Sequence, residues 1–266
     1  MRAGRVIRRA LGVTLVLLLL AALVIYGMIC RIPSQYRPRH QTVEQQKDGR
    51  AMFVSQIFDF GEKAGKGQPF TWTITAEHAN IYLGCLDAIA SVSQVEPVHP
   101  TAKLERAGFQ GPAVAMGDGV LTLMVNVSRY NKIFSLDVAF DFDEQGDLTA
   151  RLAGVRVGVM PVPQKLVDEK VAEARAALAG QLAEVEKMGD GRIGPLKVRH
   201  VAGLLRGVLG MMSGRHVRPE VVWPQGNHRV LIRRVEITRG RLTLHAVPAD
   251  RFPRSAPSTR QPAGGG

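Results

Sequence analysis

The side chains best suited to acid–base, nucleophilic or metal chemistry are seven histidines (His40, His78, His99, His200, His216, His228 and His245) and two cysteines, Cys30 and Cys85. None of the histidines forms an H-E-x-x-H pair, and no serine sits in G-x-S-x-G, so the usual signatures of a zinc hydrolase or a nucleophile elbow are missing. Gly189-Asp-Gly191-Arg-Ile-Gly194 has the glycine spacing of a dinucleotide fingerprint. It follows a helical pattern, however, whereas the fingerprint must follow a strand and open a helix onto the pyrophosphate. Asp141-x-Asp143-x-Gln145-Gly146 starts like a calcium loop, but Leu152 stands where the bidentate glutamate belongs and both flanks read as strands, which predicts a β-turn. Both cysteines read as free and structural. The residues therefore predict no enzyme, no cofactor and no metal.

Arginine offers a different chemistry. It pairs bidentately with phosphate, and Lys plus Arg exceed Asp plus Glu by 35 to 23. The excess is uneven. Residues 40–189 hold 14 basic and 19 acidic side chains, whereas residues 190–254 hold 13 basic and 4 acidic, which predicts one positive face. Arg229, Arg233 and Arg234, together with Arg199 and Arg206 on the polar side of a predicted helix, are the candidate contacts for an anionic headgroup.

These residues have to be positioned by elements that the pattern also supplies. Residues 10–30 carry no charge over a length of about 30 Å as a helix, the thickness of a bilayer's hydrocarbon core. Arg2, Arg5, Arg8 and Arg9 precede them. The positive-inside rule then predicts a basic cytoplasmic tail (1–9), a single-pass, uncleaved anchor in the cell membrane (10–30), a linker (31–40) and an extracytoplasmic domain (41–248). Residues 249–266, rich in Pro, Ser, Arg and Gly, read as a disordered tail. Outside the cytoplasm the polyanions on offer are lipids and envelope polymers, so no nucleic-acid partner is expected.

Within the domain, Val43 to about Phe60 reads as a helix ended by a Gly61–Gly67 loop. Phe70 to Ile74 reads as a strand, and Thr75 as the cap of a helix running to about Ser91. Leu121, Leu123, Val125 and Val127, then Phe134, Leu136, Val138, Phe140 and Phe142, alternate with polar residues, which predicts antiparallel strands with one buried face. Leu148, Ala150 and Leu152 share one phase and Val155, Val157 and Val159 the other, which predicts either a β-bulge or a strand break beside Gly154. Val167, Val171, Ala174, Leu178, Leu182 and Val185 form one stripe of a long helix, 164–188. A second helix is expected over 198–212, and a hairpin turning at Arg239-Gly240 closes the domain.

The run Phe70-Thr-Trp-Thr-Ile-Thr-Ala-Glu-His-Ala-Asn80, the strand meander, Gly158-Val-Met-Pro161-Val-Pro163 before a long helix, and the Val235–Leu244 hairpin resemble the YpmS-like family over roughly residues 10–247. These are bacterial membrane-anchored proteins of poorly defined function, and the resemblance implies no catalytic residues. More faintly, the pattern is similar to tubular lipid-binding folds, in which a twisted sheet wraps a long helix and leaves an apolar groove. The expected architecture is thus α+β: a single N-terminal transmembrane helix, then a twisted antiparallel sheet packed on one long α-helix. Leu136, Val138 and Phe140 on the sheet and Val171, Leu178 and Leu182 on the helix are the candidate cleft residues. The function expected is non-enzymatic binding or passing on of a lipid or lipid-linked envelope precursor. The alternative is an envelope assembly protein whose ectodomain docks another protein.

Overall fold

Two-residue alternation builds most of this protein. The computed structural model describes residues 17–39, 41–91, 99–187, 189, 192–193, 196–197, 202–203, 205–207, 209–210, 213–222 and 228–249. Strands β2 (Phe109–Gly117), β3 (Val120–Val127), β4 (Lys132–Phe142), β5 (Leu148–Val157) and β6 (Met160–Pro161) pair in that order into a five-stranded antiparallel sheet. A second, four-stranded antiparallel sheet has the order β1 (Phe70–Thr75), β11 (Arg241–Pro248), β10 (Arg229–Thr238), β9 (Glu220–Val222). A short hairpin, β7 (Arg192–Ile193) and β8 (Leu196–Lys197), stands apart from both.

Each large sheet is curled by irregularities in its register. In β5, Gly154 pairs with Asp137 and Leu152 with Val138, which leaves Ala153 as the extra residue of a bulge. The phase change at Gly154 is therefore a bulge in a continuous strand. Its effect is to return Ala150, Leu152, Val155 and Val157 to a single face, against Phe140, Val138, Leu136 and Phe134. Further shifts fall between Gln110 and Ala113 in β2 and between Ile232 and Arg234 in β10. At the β2 shift Gly111 adopts φ +53°, a conformation open to glycine at little cost.

Threonine opens the first two helices of the domain. Thr42 starts α1 (Val43–Gly65) with a reciprocal capping box to Gln45, and Thr75 Oγ1 accepts from the His78 N–H at the start of α2 (Ala76–Gly84). α1 lies on the four-stranded sheet, where Phe60 meets Phe70 and Trp72 edge-on at 5.3 and 5.7 Å between ring centres, above Val230 and Ala246. α2 lies on β2. Its Ala79 and Leu83 join Val114, Met116, Ile237, Val235, Leu242 and Ile74 in the cluster that joins the two sheets.

Several expectations are corrected. α1 runs on through Gly61 to Gly65, because Phe60 and Ala64 bury on the sheet and hold the last turn in place. The single helix expected to Ser91 breaks at Cys85, whose backbone leaves the helical region, and resumes as α3 (Leu86–Ala90). α4 (Pro100–Arg106), a short helix with proline in its first turn, was not anticipated. The long helix is present as α5 (Gln164–Lys187), but Val167 alone among its residues is buried. Its stripe is not the floor of a core. Val171, Leu178, Leu182 and Val185 are half-buried and Ala174 is exposed. Of the predicted 198–212 helix, residues 202–203, 205–207 and 209–210 are helical; the others, like the tail beyond 249, lie outside the described residues. The described residues thus form a mixed α+β protein of curled antiparallel sheets with two long helices, α1 and α5.

Residues 17–30 are helical, but among the described residues no helix is long and apolar enough to cross a membrane. Residues 10–16, which complete the expected span, lie outside the described residues.

Candidate functional site: an apolar sheet face and the strap behind it

The pairing register writes out the two faces of the five-stranded sheet. On one face the rows are Val125–Phe134–Val157, Val114–Leu123–Leu136–Val155, Met116–Leu121–Val138–Leu152 and Phe140–Ala150. On the other are Ala113–Met124–Ser135–Arg156 and Ala115–Thr122–Asp137–Gly154. Alternation predicts that the apolar face buries and the mixed face meets water. The burial is the reverse at the sheet's centre. Leu123 and Leu136 are 41% and 42% exposed, whereas Ser135 and Thr122 are buried.

The mixed face is covered by the segment expected to be a linker. Tyr36 packs on Ala113, Met124 and Ile133, and its hydroxyl donates to Gly111 O at 2.8 Å. Burial pushes the Tyr36 phenol above its ordinary pKa. Further along, the Arg39 backbone lies against Gly84, where a Cβ would stand 2.8 Å from Arg39 O. Gln41 bonds Ile81 O and the Cys85 thiol. Residues 31–39 and Gln41 therefore form a strap rather than a loose tether. The strap begins at a fixed point. The Val159 N–H donates to Met28 O at 3.0 Å, and a Cβ at Gly158 would meet the carbonyl oxygens of Met28, Ile29 and Arg31. With φ +61° as well, Gly158 is a close-approach glycine seated on the end of the 17–30 helix.

On the same face Asp137 Oδ1 accepts from Thr122 Oγ1 and Arg156 Nη2, both at 2.7 Å. Among the described residues no histidine joins this cluster. The arrangement nearest to a catalytic relay lies elsewhere, at the β4–β5 turn, where His216 Nδ1 is 3.0 Å from Asp143 Oδ2 and 3.3 Å from Thr149 Oγ1. Both partners share one ring nitrogen. A relay needs the acid on one nitrogen and the nucleophile on the other, so this group cannot pass a proton from hydroxyl to carboxylate. Asp143 is the acceptor of the turn, and the Asp147 N–H, ahead of Gln145 and His216, holds its carboxyl below the usual range. Among the described residues no three His, Cys, Asp or Glu side chains converge as metal ligands.

The headgroup arginines predicted from sequence are dispersed. Arg206 bonds Glu186 through Nε and Nη2, Arg229 bonds Glu220, and Arg234 bonds Glu236. Arg233 reaches Gln145 O across the β4–β5 turn. Arg199 lies outside the described residues. The structure therefore brings Leu136, Val138 and Phe140 onto one face, but only Leu136 is exposed there, and Phe140 packs into the cluster between the two sheets. Arg229, Arg233 and Arg234 stand on the other sheet, Arg229 and Arg234 engaged with carboxylates. Sequence reasoning missed Leu123 and Phe134 as site residues, although the two-residue period that found Leu136 contains both.

No family model, curated protein or solved structure matches the chain.

Proposed function

We propose that this is a membrane-anchored, extracytoplasmic, non-enzymatic protein that holds one acyl chain of a lipid, or of a lipid-linked envelope precursor, on the open face of its five-stranded sheet. The observation that carries this reading is a continuous apolar surface whose centre, Leu123 and Leu136, is left exposed. It runs from Val125–Phe134–Val157 through Leu123–Leu136–Val155 to Val138–Leu152, three rows two residues apart or about 13 Å, beyond which Leu121 and Phe140 pack into the cluster between the sheets. Each methylene removed from water there is worth about 0.8 kcal/mol. The uncharged run 10–30 supplies the anchor in this reading, and the resemblance to YpmS-like proteins leads the same way.

The rival reading, docking of another envelope protein by strand addition, has less support because the sheet edges are already used. β9 and β6 are three and two residues long. On β2 the Asn80 side chain occupies both backbone groups of Val114, and on β1 the Gln56 side chain donates to Thr73 O at 3.0 Å.

The test is native mass spectrometry of the full chain after detergent extraction and washing, comparing wild type with Leu136→Glu. An exposed glutamate costs the fold little. A phospholipid retained by the wild type and lost from a variant with an unchanged urea midpoint supports the reading. Equal lipid occupancy in both proteins overturns it.

A further inference from the structure

The end of the five-stranded sheet that meets the 17–30 helix has an unusual surface. The β3–β4 turn there carries Tyr130, 57% exposed, with the Arg129 guanidinium 5.6 Å from its ring centre. Beside it, Phe109 pairs with Val127 and is 39% exposed. Lys132 reaches from the same turn to the helix, where its ammonium donates to Cys30 Sγ at 3.2 Å and sits 5.9 Å from the Tyr26 ring centre. Of the exposed large apolar side chains among the described residues beyond 17–30, Phe109 and Tyr130 lie at this end and Leu123 and Leu136 on the sheet face that leads out of it. Tyrosine with flanking arginine and lysine is the composition that favours the layer between hydrocarbon and water, where the ring is half solvated and the cation meets phosphate.

The docking of the helix turns this composition into a position. Met28, Ile29 and Arg31 are fixed against Gly158 and Val159, and this turn follows β5 at the same end of the sheet as Tyr130. A chain leaving a bilayer at about residue 30 therefore delivers the β3–β4 and β5–β6 turns to the headgroup layer. We infer that this end of the sheet is a seat on the anionic headgroups of the lipid bilayer. Tyr130 and Phe109 enter the interface, Arg129 and Lys132 contact phosphate, and the open apolar face begins where the lipid is. The inference rests on the proposed anchor and deepens the lipid reading by stating the source of the ligand: a phospholipid drawn sideways out of the bilayer the protein stands on.

The experiment places a photoreactive benzoyl-phenylalanine at Tyr130, at Phe109, or at Asp118 in the full chain, reconstituted in bilayers of phosphatidylcholine and phosphatidylglycerol. Asp118 is exposed in the β2–β3 turn at the opposite end of the sheet, about 26 Å away along β3. Irradiation is expected to give phospholipid adducts at 130 and 109 at least ten-fold above those at 118. In the Tyr130 protein, Arg129→Glu should lower the phosphatidylglycerol share of the adducts several-fold. Equal yields at 130 and 118, or no adduct at 130, overturn the seat. Retained lipid in the mass spectra without adducts at 130 would remove the seat and leave the groove standing. Adducts at 130 without retained lipid would keep the seat and remove the groove.

Discussion

Replacing Asn80 measures how the two layers of the domain are joined. Its side-chain amide donates to Ala76 O and Val114 O, both at 2.8 Å, and accepts from the Val114 N–H at 2.7 Å. Asn80 thus plays the part of a neighbouring strand at the β2 edge. Asn80→Ala leaves the N–H and C=O of a buried residue, Val114, without partners. At about 1–3 kcal/mol for each orphaned group, and with water reaching the edge in part, the loss should be about 3 kcal/mol. For a chain of this size that corresponds to roughly 6–12 °C in Tm. Asn80→Asp separates hydrogen bonding from shape. It keeps the acceptor but sets a carboxylate oxygen against two carbonyls, so at pH 7 it should be at least as damaging as alanine. Because those carbonyls favour the protonated acid, the folded-state pKa rises above the unfolded value. Stability should therefore return as the pH falls towards about 5, when a hydroxyl can donate again. Urea unfolding of the detergent-solubilised full chain, followed by circular dichroism, reads both variants. A loss under about 1 kcal/mol for the alanine variant, or a wild-type midpoint for the aspartate variant at pH 7, would refute the account.

Other positions give shorter tests. Gly158→Ala must undock the helix end, since its Cβ would stand 2.6 Å from Met28 O at a positive φ; tryptic cleavage at Arg31 and Arg39 should accelerate at least ten-fold, while Gly117→Ala, with nothing within 4 Å of its Cβ, changes nothing. Asp143, held below the usual carboxylate range, stabilises the turn fully above its unfolded pKa near 3.8 and loses that contribution as the pH falls through its lower folded value. Asp143→Asn should flatten the decline of Tm between about pH 4 and pH 2 and leave the other carboxylates to cause the rest. Cys85 is 1% exposed and burial raises its thiol pKa, whereas Cys30 is only half-buried, so a thiol reagent should modify one cysteine in the folded chain and two in urea.

What the sequence made legible was periodicity. The alternation of Leu121 to Val127 and of Phe134 to Phe142 located β3 and β4, and the change of phase at Gly154 marked the bulge. Which face of those strands would be covered was hidden, because it depends on Tyr36, nearly a hundred residues before Ser135. Alternation identifies two faces but cannot say which one a distant segment will cross. The helical stripe from Val167 to Val185 was equally clear, yet amphipathicity states only that a helix has an apolar side, and α5 leaves most of that side half-open. Arginines were chosen by type. Their engagement with Glu186, Glu220 and Glu236 follows from tertiary neighbours that no local spacing encodes. Arg129 and Lys132 escaped notice because they stand singly in an acid-rich half of the chain.

The packed strap has a mechanical consequence. A free tether of ten residues would let the domain wander over some 16–19 Å. Here Tyr36, Arg39 and Gln41 are fastened to the body at successive points, so the slack is gone. The orientation of the sheet relative to the 17–30 helix is settled during folding. The strap works as a mounting bracket: a force applied to the helix is delivered to β2 and α2 together, and the five-stranded sheet turns with the helix as one lever.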